Sequence, residues 1–268
     1  MRSTLFSIPL PSFLQSLGLP AELPIFGYGL MILCAYILAT QWATIRGKKY
    51  GVNKDQIQDI TTAALISGII GARIMHLFLY PDYYESWVDI LKIYEGGLVL
   101  YGFILTSPII VILRLKRHNL SFHQFFMTFT PTLPLGIAVG RLGCFLNGCC
   151  FGTPGDHAWC VTYPVDTLPH QVHGAISLHP SQIYAFILGT SLAFILSFIP
   201  QKLEKIRGFQ LALCFTLGYG TIRLIEESFR GDTPLHFAEF FTAGQATSLV
   251  IILLSLPLLI FIRPKVST

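Results

Sequence analysis

Three arginines lie within long apolar stretches of this 268-residue chain, at Arg73, Arg141 and Arg223. A charged residue near the centre of a membrane helix costs about 2.5–3.5 kcal/mol to insert, so such residues are usually functional. Arginine presents a planar fork of N–H donors that matches two oxygens of a phosphate group. The three arginines therefore predict a site for an anionic phosphate, such as a phospholipid headgroup. Alternatively, some of them pair with Glu227 or a backbone carbonyl, or extend to the membrane interface.

Four of the six cysteines are concentrated in one region, at Cys144, Cys149, Cys150 and Cys160. A disulfide from Cys149 or Cys150 to Cys160 is one interpretation of this region. Metal binding or thiol redox chemistry is another, because four histidines lie close in sequence: His157, His170, His173 and His179. The cysteine spacing is not that of an ordinary paired zinc site, which favours packing or a disulfide. We therefore predict no metal ion and no cofactor.

The composition indicates which elements position these residues. The chain is 53% hydrophobic and 12% charged, with a mean hydropathy of +0.62, whereas soluble domains carry about 25% charged residues. Helices are expected, because an isolated strand would leave its backbone unpaired in lipid. We predict an all-α integral membrane protein whose seven transmembrane helices lie near Ile25–Thr44, Ile60–Tyr80, Gly97–Leu113, Phe126–Phe145, Ser181–Pro200, Phe209–Glu227 and Ala243–Ile262.

Basic residues indicate the orientation of these helices, because cytoplasmic loops are enriched in lysine and arginine. Twelve basic residues lie in the linkers after spans one, three and five and in the C-terminal tail, against three in the alternate segments. The N-terminus is therefore predicted outside and the C-terminus in the cytoplasm. The longest loop, about 149–180, is predicted to form an external cap, and residues 1–268 a single membrane-embedded domain. No basic patch away from the membrane boundaries indicates nucleic-acid binding.

The densest motif surrounds Arg141 and reads Gly140-Arg141-Leu142-Gly143-Cys144-Phe145-Leu146-Asn147-Gly148. Its small residues allow another helix or a lipid chain to approach closely. The motif resembles the signature of the prolipoprotein diacylglyceryl transferase family. Four further segments resemble that family in the same order along the chain: Tyr28-Gly29-Leu30-Met31, Gly71-Ala72-Arg73, His179-Pro180-Ser181-Gln182-Ile183-Tyr184, and the set Tyr219-Gly220, Arg223, Glu227 and Arg230.

The resemblance implies a multi-pass enzyme of the bacterial inner membrane. Such an enzyme transfers the sn-1,2-diacylglyceryl group of phosphatidylglycerol to the lipobox cysteine of preprolipoproteins, as a step of lipoprotein biosynthesis. The thiolate would attack the glyceryl carbon, forming a thioether and releasing glycerol phosphate. The implied partners are phosphatidylglycerol, preprolipoprotein signal peptides and the lipid bilayer, without nucleic acid.

The resemblance also implies roles for the matching residues. Arg141 and Arg223 would stabilise the departing phosphate, with Arg73 as a further contact to phosphatidylglycerol. Glu227 follows Arg223 by four residues, on the same helix face, and would orient its guanidinium. The remaining contacts to phosphatidylglycerol would come from Tyr28, Asn147, Tyr219 and His179.

The chain departs from the family pattern around the catalytic base. Tyr101 stands where the family has a histidine, Cys144 where it has an asparagine and Cys149 where it has an acidic residue. Tyrosine is a weaker base than histidine at neutral pH. We therefore predict Tyr101 as a catalytic residue that donates hydrogen bonds, with the base elsewhere in the chain. The alternative is that the activity differs from that of the family. Two alternatives stay open: a divergent relative with cysteine-dependent redox or metal chemistry, and a non-enzymatic transporter or assembly factor.

Overall fold

Helices dominate the computed structural model, which describes residues 4–9, 11–15, 21–93, 96–202, 207–232, 235–237 and 241–261. They are α1 (Ser12–Gln15), α2 (Gly27–Gly47), α3 (Lys54–Leu79), α4 (Leu100–Arg117), α5 (Phe122–Phe129), α6 (Thr132–Asn147), α7 (Leu168–His173), α8 (Ser181–Lys202), α9 (Gly208–Phe229) and α10 (Ala243–Phe261). Short 3₁₀ turns cover Lys48–Tyr50, Pro81–Tyr83 and Trp87–Leu91.

Two short hairpins accompany the helices, and the sequence patterns do not predict them. Strand β1 (Thr4–Pro9) pairs antiparallel with β2 (Glu22–Phe26), and β3 (Leu235–Phe237) pairs antiparallel with β4 (Phe241–Thr242). Prolines fit in the first hairpin, because a two-stranded sheet has only edge strands, where a missing N–H is tolerated. The proline-interrupted segment before α2 is therefore partly extended.

Five of the described helices are long and apolar enough to cross a membrane, namely α2, α3, α8, α9 and α10. A sixth span results if the broken pair α5 and α6 is counted as one. The break includes Pro131, which lacks the N–H that would continue the helical hydrogen bonds. The fourth predicted span, Phe126–Phe145, is therefore not one continuous helix, although the prediction of a helical membrane protein is confirmed.

Helix α4 covers the third predicted span but differs from the other long helices. It has 18 residues, and its last turn contains Arg114, Lys116 and Arg117. Three charges in so short a helix shorten the apolar part available to the bilayer core, which needs about 20 residues. A seventh span stays a prediction. The described residues also divide into two compact units, so the single domain stays a prediction as well.

The smaller unit, Ala43–Thr128, is built around the pair α3 and α4. The two helices touch through their backbones where Gly71 faces Gly102, since a Cβ on Gly102 would lie 2.1 Å from the carbonyl oxygen of Gly71. Thr106 Oγ1 donates to the Ser67 carbonyl at 2.9 Å in the same interface. Such small-residue contacts are typical of packed membrane helices. They fix the start of α4 against α3.

The larger unit, Met1–Trp42 with Phe129–Thr268, contains α6, α8, α9 and α10. A Cβ on Gly189 of α8 would lie 3.1 Å from the Cβ of Ala138 of α6, so these helices are in close contact. Between α9 and α10, the hydroxyls of Thr216 and Ser255 are 2.8 Å apart. Hydroxyl pairs of this kind join helices where water is absent.

The segment between α6 and α8 folds compactly within the larger unit. Its small core is formed by Phe151, Tyr163 and Leu178, each about 1–2% exposed. Backbone hydrogen bonds join Val161 to Leu178 in both directions, at 2.9 and 3.0 Å. Gly152 donates to the His179 carbonyl at 3.0 Å, so the segment is tied to the start of α8. Its predicted external location stays a prediction.

Candidate functional site

Helix α9 places two carboxylates beside Arg223. Glu226 and Glu227 follow it by three and four residues, spacings that bring side chains to one face of a helix. Nη1 of Arg223 lies 3.1 Å from Oε2 of Glu226, and Nη2 lies 2.8 Å from Oε2 of Glu227. The two glutamates are only 2% and 3% exposed. Carboxylates this deeply buried need cationic partners.

Helix α6 supplies a second guanidinium to the same centre. Nη1 of Arg141 lies 3.1 Å from Oε1 of Glu226, and Nη2 donates to Oε2 at 3.1 Å. Both nitrogens therefore approach the carboxylate, although only the contact from Nη2 to Oε2 is a well-aligned hydrogen bond. Since Glu226 also contacts Arg223, one buried carboxylate bridges Arg141 and Arg223. The structure therefore brings together two of the three arginines that the sequence predicts as a phosphate site.

Glu227 connects this centre to Arg230 and to the start of α10. Thr242 Oγ1 donates to Oε1 of Glu227 at 2.9 Å, and Nη1 of Arg230 lies 3.4 Å from Oε2. Arg230 in turn makes a two-point contact with Asp232, at 2.9 and 3.1 Å. A Cβ on Gly244 would lie 2.5 Å from the carboxyl carbon of Glu227. The helix end can approach this carboxylate only because residue 244 is glycine.

We call the resulting set the arginine–carboxylate network: Arg141, Arg223, Arg230, Glu226, Glu227 and Asp232. A guanidinium carries five N–H donors, and Arg141 uses one of them in its hydrogen bond to Glu226. Nη1 of Arg223 makes no well-aligned hydrogen bond, although it lies close to Glu226. The side chains of Arg141 and Arg223 are 15% and 20% exposed. Both side chains therefore keep some exposed surface, although Nη1 of Arg223 is itself buried.

Two of the predicted headgroup contacts lie around Arg141. Tyr28 of α2 packs on Gly143, where a Cβ would lie 3.1 Å from Cδ2 of the ring, and it interacts electrostatically with Arg141. Tyr219 of α9 also interacts electrostatically with Arg141. Asn147 is the last residue of α6. These three side chains belong to the same unit as the network.

His179 has other partners. Its Nδ1 lies 3.0 Å from the hydroxyl of Tyr184 and 3.8 Å from the sulfur of Cys160. Trp159 donates to the same hydroxyl at 2.9 Å. These contacts hold the segment after α6 against α8, so His179 has a structural role. Its predicted contact with phosphatidylglycerol stays a prediction.

The turn after α6 brings three cysteines together. Gly148 N donates to Phe145 O at 3.3 Å, and Cys149 N donates to Cys144 O at 3.1 Å, which is the hydrogen-bond pattern of a Schellman motif. Gly148 has φ of 72°, a left-handed conformation that favours glycine. The motif folds Cys149 back towards Cys144. The sulfurs of Cys144, Cys149 and Cys150 all lie within 4.8 Å of one another.

All six cysteines, which lie within the described residues, are free. The suggested disulfide from Cys149 or Cys150 to Cys160 is therefore wrong, because the turn directs both thiols towards Cys144 and Cys160 contacts His179 instead. Hydrogen bonds with the Cys144 and Cys150 thiols lower the pKa of the Cys149 thiol. We call these three residues, Cys144, Cys149 and Cys150, the three-cysteine cluster.

Arg73 belongs to the smaller unit and is surrounded by backbone carbonyls. Its Nε and both Nη atoms donate to the carbonyl oxygens of Asp89, Ile90, Lys92, Gly96 and Gly97. Five acceptors match the five N–H donors of a guanidinium. The residue is 4% exposed. This is the alternative in which an intramembrane arginine pairs with carbonyls, and it leaves Arg73 no N–H for a headgroup in this conformation.

Replacing Arg73 by lysine is expected to destabilise the smaller unit, because an ammonium has three donors and cannot satisfy five carbonyls. Hydrogen bonds to a charged group are each worth about 1.5–3 kcal/mol, so a loss of at least about 2 kcal/mol is expected. Thermal unfolding and limited proteolysis of the 86–97 segment would measure it. Arg114→Lys, at a partly exposed ion pair with Asp59, is the matched control. Unchanged stability with a raised KM for phosphatidylglycerol would instead support a headgroup contact.

Tyr101 lies in the first turn of α4, in the smaller unit, and is 71% exposed there. The contact between Gly102 and Gly71 fixes the adjacent backbone, and therefore the origin of the Tyr101 side chain. Its catalytic role stays a prediction.

Glu226 is the main site residue that the sequence reasoning missed. The sequence does contain one indication of its role, because Glu226 lies three residues after Arg223 in an apolar helix. A buried carboxylate in such a helix needs a cationic partner. Its second partner, Arg141, is 85 positions away in the sequence. No local spacing indicates a pairing over that distance, so only the fold identifies Glu226 as the bridge.

Fold and site together define a multi-pass helical membrane protein with a buried arginine–carboxylate network. The family model described as prolipoprotein diacylglyceryl transferase matches residues 16–261. The chain belongs to this family.

Several relatives are similar over most of their length. A phosphatidylglycerol–prolipoprotein diacylglyceryl transferase of Clostridium tetani is 33% identical over 87% of this chain and 92% of its own. The one from Legionella pneumophila strain Corby is 35% identical over 87% of this chain and 91% of its own length. The one from Thermotoga maritima is 32% identical over 85% and 77%. The resemblance inferred from five short motifs is therefore confirmed across the chain.

Proposed function

We propose that this protein transfers the sn-1,2-diacylglyceryl group of phosphatidylglycerol to the lipobox cysteine of preprolipoproteins, as the family and its relatives' names indicate. The structural observation that carries the proposal is the bridge Arg141–Glu226–Arg223. It holds two guanidiniums on one buried carboxylate, and both side chains keep some exposed surface. A phosphodiester, which has two non-bridging oxygens, suits such a pair.

The reaction requires stabilisation of a leaving phosphate. The client thiolate attacks the glyceryl carbon, the C–O bond to phosphorus-linked oxygen breaks, and its electron pair goes to that oxygen. Glycerol phosphate leaves and a thioether remains. Arg141 and Arg223 stabilise the charge that develops on the leaving group, and the membrane-embedded surroundings strengthen this interaction relative to water.

The other predicted site residues have supporting or positioning roles in this proposal. Glu226 and Glu227 hold the guanidiniums in place, and Tyr28, Tyr219 and Asn147 donate hydrogen bonds to the headgroup. His179 contacts phosphatidylglycerol from the segment before α8, and the catalytic role of Tyr101 is kept as part of the proposal. Arg73 acts by holding the backbone at Asp89, Ile90, Lys92, Gly96 and Gly97 through its contacts with their carbonyl oxygens.

The chain is proposed to cross the bacterial inner membrane seven times, with the N-terminus outside. Basic residues at the ends of α2 and α4 support this orientation: Arg46, Lys48, Lys49, Arg114, Lys116 and Arg117. The end of α6 then lies on the outer side, together with the cap formed by 149–180. The preprolipoprotein signal peptide would reach the site from the same bilayer.

Complementation tests the proposed function directly. Cells depleted of their own diacylglyceryl transferase and expressing this chain are expected to produce a client lipoprotein whose mass increases by one diacylglyceryl group. The increase is expected only with phosphatidylglycerol present, because its glyceryl phosphoester is the donor.

The matched control is the same client with its lipobox cysteine replaced by serine, which lacks the thiol nucleophile and should stay unmodified. Good expression of this chain in the membrane without any mass increase of the cysteine client would contradict the proposed function.

A further inference from the structure

The three-cysteine cluster is a second chemical feature beside the arginine–carboxylate network. Single cysteines commonly pack as small apolar residues, but these three thiols are partly exposed and face one another. Their sulfurs lie within 4.8 Å of one another. An ion about 2.3 Å from each of three thiolates would separate the sulfurs by about 4 Å. Small side-chain rotations would therefore close the cluster around one ion.

The backbone of the cluster is fixed by the start of α8. Gln182 Nε2 donates to Cys149 O at 2.8 Å, and Ser181 Oγ donates to Cys150 O at 2.6 Å. Both donor residues are fully buried. Cys150 has φ of 58°, in the left-handed region that non-glycine residues rarely adopt. A strained conformation that its surroundings hold in place is typical of a functional site.

Nearby cations suit a negatively charged thiolate centre. Arg141 precedes Cys144 by three residues on the same face of α6, and it interacts electrostatically with Cys144 and Cys150. Arg230 interacts electrostatically with Cys150 as well. Three thiolates with a divalent ion carry one net negative charge, which these guanidiniums offset. The cluster is therefore placed directly beside the proposed phosphate site.

We propose that Cys144, Cys149 and Cys150 bind a zinc ion whose fourth coordination position accepts the cysteine thiol of the client. Three protein ligands and one open position are the arrangement of catalytic zinc sites. Thiolates are soft ligands that select zinc over magnesium or calcium. The inference rests on the proposed transferase function, and it adds the means by which the client thiol is activated.

Coordination to zinc would deprotonate the client thiol, a task for which Tyr101 is a poor base at neutral pH. On coordination, the client thiol loses its proton to water, since a coordinating thiol is deprotonated outright. The resulting sulfur lone pair forms the bond to the glyceryl carbon while the C–O bond breaks, and the leaving phosphate keeps that electron pair beside Arg141. The thioether product is neutral, a weaker ligand than a thiolate, and it leaves the open position. No histidine base is needed for this sequence of events.

Metal content of the purified full-length protein tests the site independently of activity. Protein expressed with zinc is expected to contain one zinc per chain, and Cd²⁺ titration should give one equivalent with the ultraviolet absorption of cadmium–thiolate bonds. Cys149→Ser and Cys150→Ser should each abolish stoichiometric binding. Cys34→Ser and Cys214→Ser, which remove helix cysteines outside the cluster, should retain it. Absence of zinc and cadmium binding with all thiols reduced, or a disulfide within the cluster, would overturn the proposal.

Lipidation kinetics separate this inference from the proposed function. A free cysteine with a pKa of about 8.5 is roughly 3% thiolate at pH 7, so removing zinc should slow transfer about 30-fold there. The metal-free enzyme should recover as the pH rises to about 9, whereas the zinc enzyme should change little. If wild-type protein lipidates the client equally well with and without zinc, the inference fails and the proposed function stands. If zinc binds but no client is lipidated, the proposed function fails, and with it the role of the ion.

Discussion

Replacing Arg141 by alanine is expected to lower the rate of diacylglyceryl transfer by about 10²–10³-fold, the loss typical of removing one preorganised donor to a developing negative charge. Arg141 is the guanidinium closest in sequence to the turn of the three-cysteine cluster, and it has N–H donors beyond those that contact Glu226. The fold should survive the change, because Glu226 keeps its contact with Arg223 at 3.1 Å. The measurement is client lipidation against time, with purified protein in phosphatidylglycerol-containing membranes.

Two control variants make the Arg141 result interpretable. Arg141→Lys keeps the charge but loses the planar fork, so its rate should lie between those of wild type and alanine. Arg114→Ala removes an arginine from a partly exposed ion pair with Asp59, where the contribution to stability is at most about 1 kcal/mol, and its rate should be normal. A normal rate for Arg141→Ala at equal membrane abundance would remove Arg141 from the phosphate site.

Much of the fold could be predicted from the sequence because the bilayer restricts it strongly. Apolar stretches near 20 residues give helices, and the predicted span Ala243–Ile262 matches α10 from Ala243 to Phe261, where the described residues end. The break at Pro131 and the two hairpins were missed. The break at Pro131 comes from the local loss of one hydrogen bond, and the hairpins come from pairing between separate segments. Neither changes the mean hydropathy over about 20 residues, which is the signal that predicts a membrane helix.

The site was predictable only in part. An arginine in a membrane helix has a high free-energy cost of insertion, so the sequence alone marks Arg141 and Arg223 as candidate functional residues. Arg73 stands out equally, yet its donors bond to carbonyls of a loop in the same unit. An arginine in a membrane helix requires hydrogen-bond acceptors whatever its position. Only the fold determines whether those acceptors are carboxylates or backbone carbonyls. The cluster of cysteines likewise depends on a left-handed turn at Gly148.

Changing Glu226 to glutamine is expected to lower kcat by about 10²-fold, without raising the KM for phosphatidylglycerol. Oε2 of Glu226 accepts a hydrogen bond from Arg141 and also lies 3.1 Å from Nη1 of Arg223, and Oε1 lies 3.1 Å from Nη1 of Arg141. The amide nitrogen of glutamine would face an arginine N–H, so one guanidinium must move. A displacement of about 1 Å in a catalytic group costs about 10²-fold in rate. The variant also gains one net positive charge, which favours an anionic headgroup in the ground state.

The thermal midpoint of the variant, measured together with kcat and KM, distinguishes positioning from simple structural damage. A destabilised protein would lose active enzyme in proportion to its unfolded fraction, with the KM of the remainder unchanged and its thermal midpoint lowered. Glu226→Asp keeps the charge, shortens the side chain by one methylene and should restore part of kcat. An Asp59→Asn variant in the smaller unit, where the carboxylate pairs with Arg114 and His118, makes a comparable loss of charge outside the site. If Glu226→Gln raised KM with kcat unchanged, the carboxylate would act in binding the substrate rather than in aligning the two arginines.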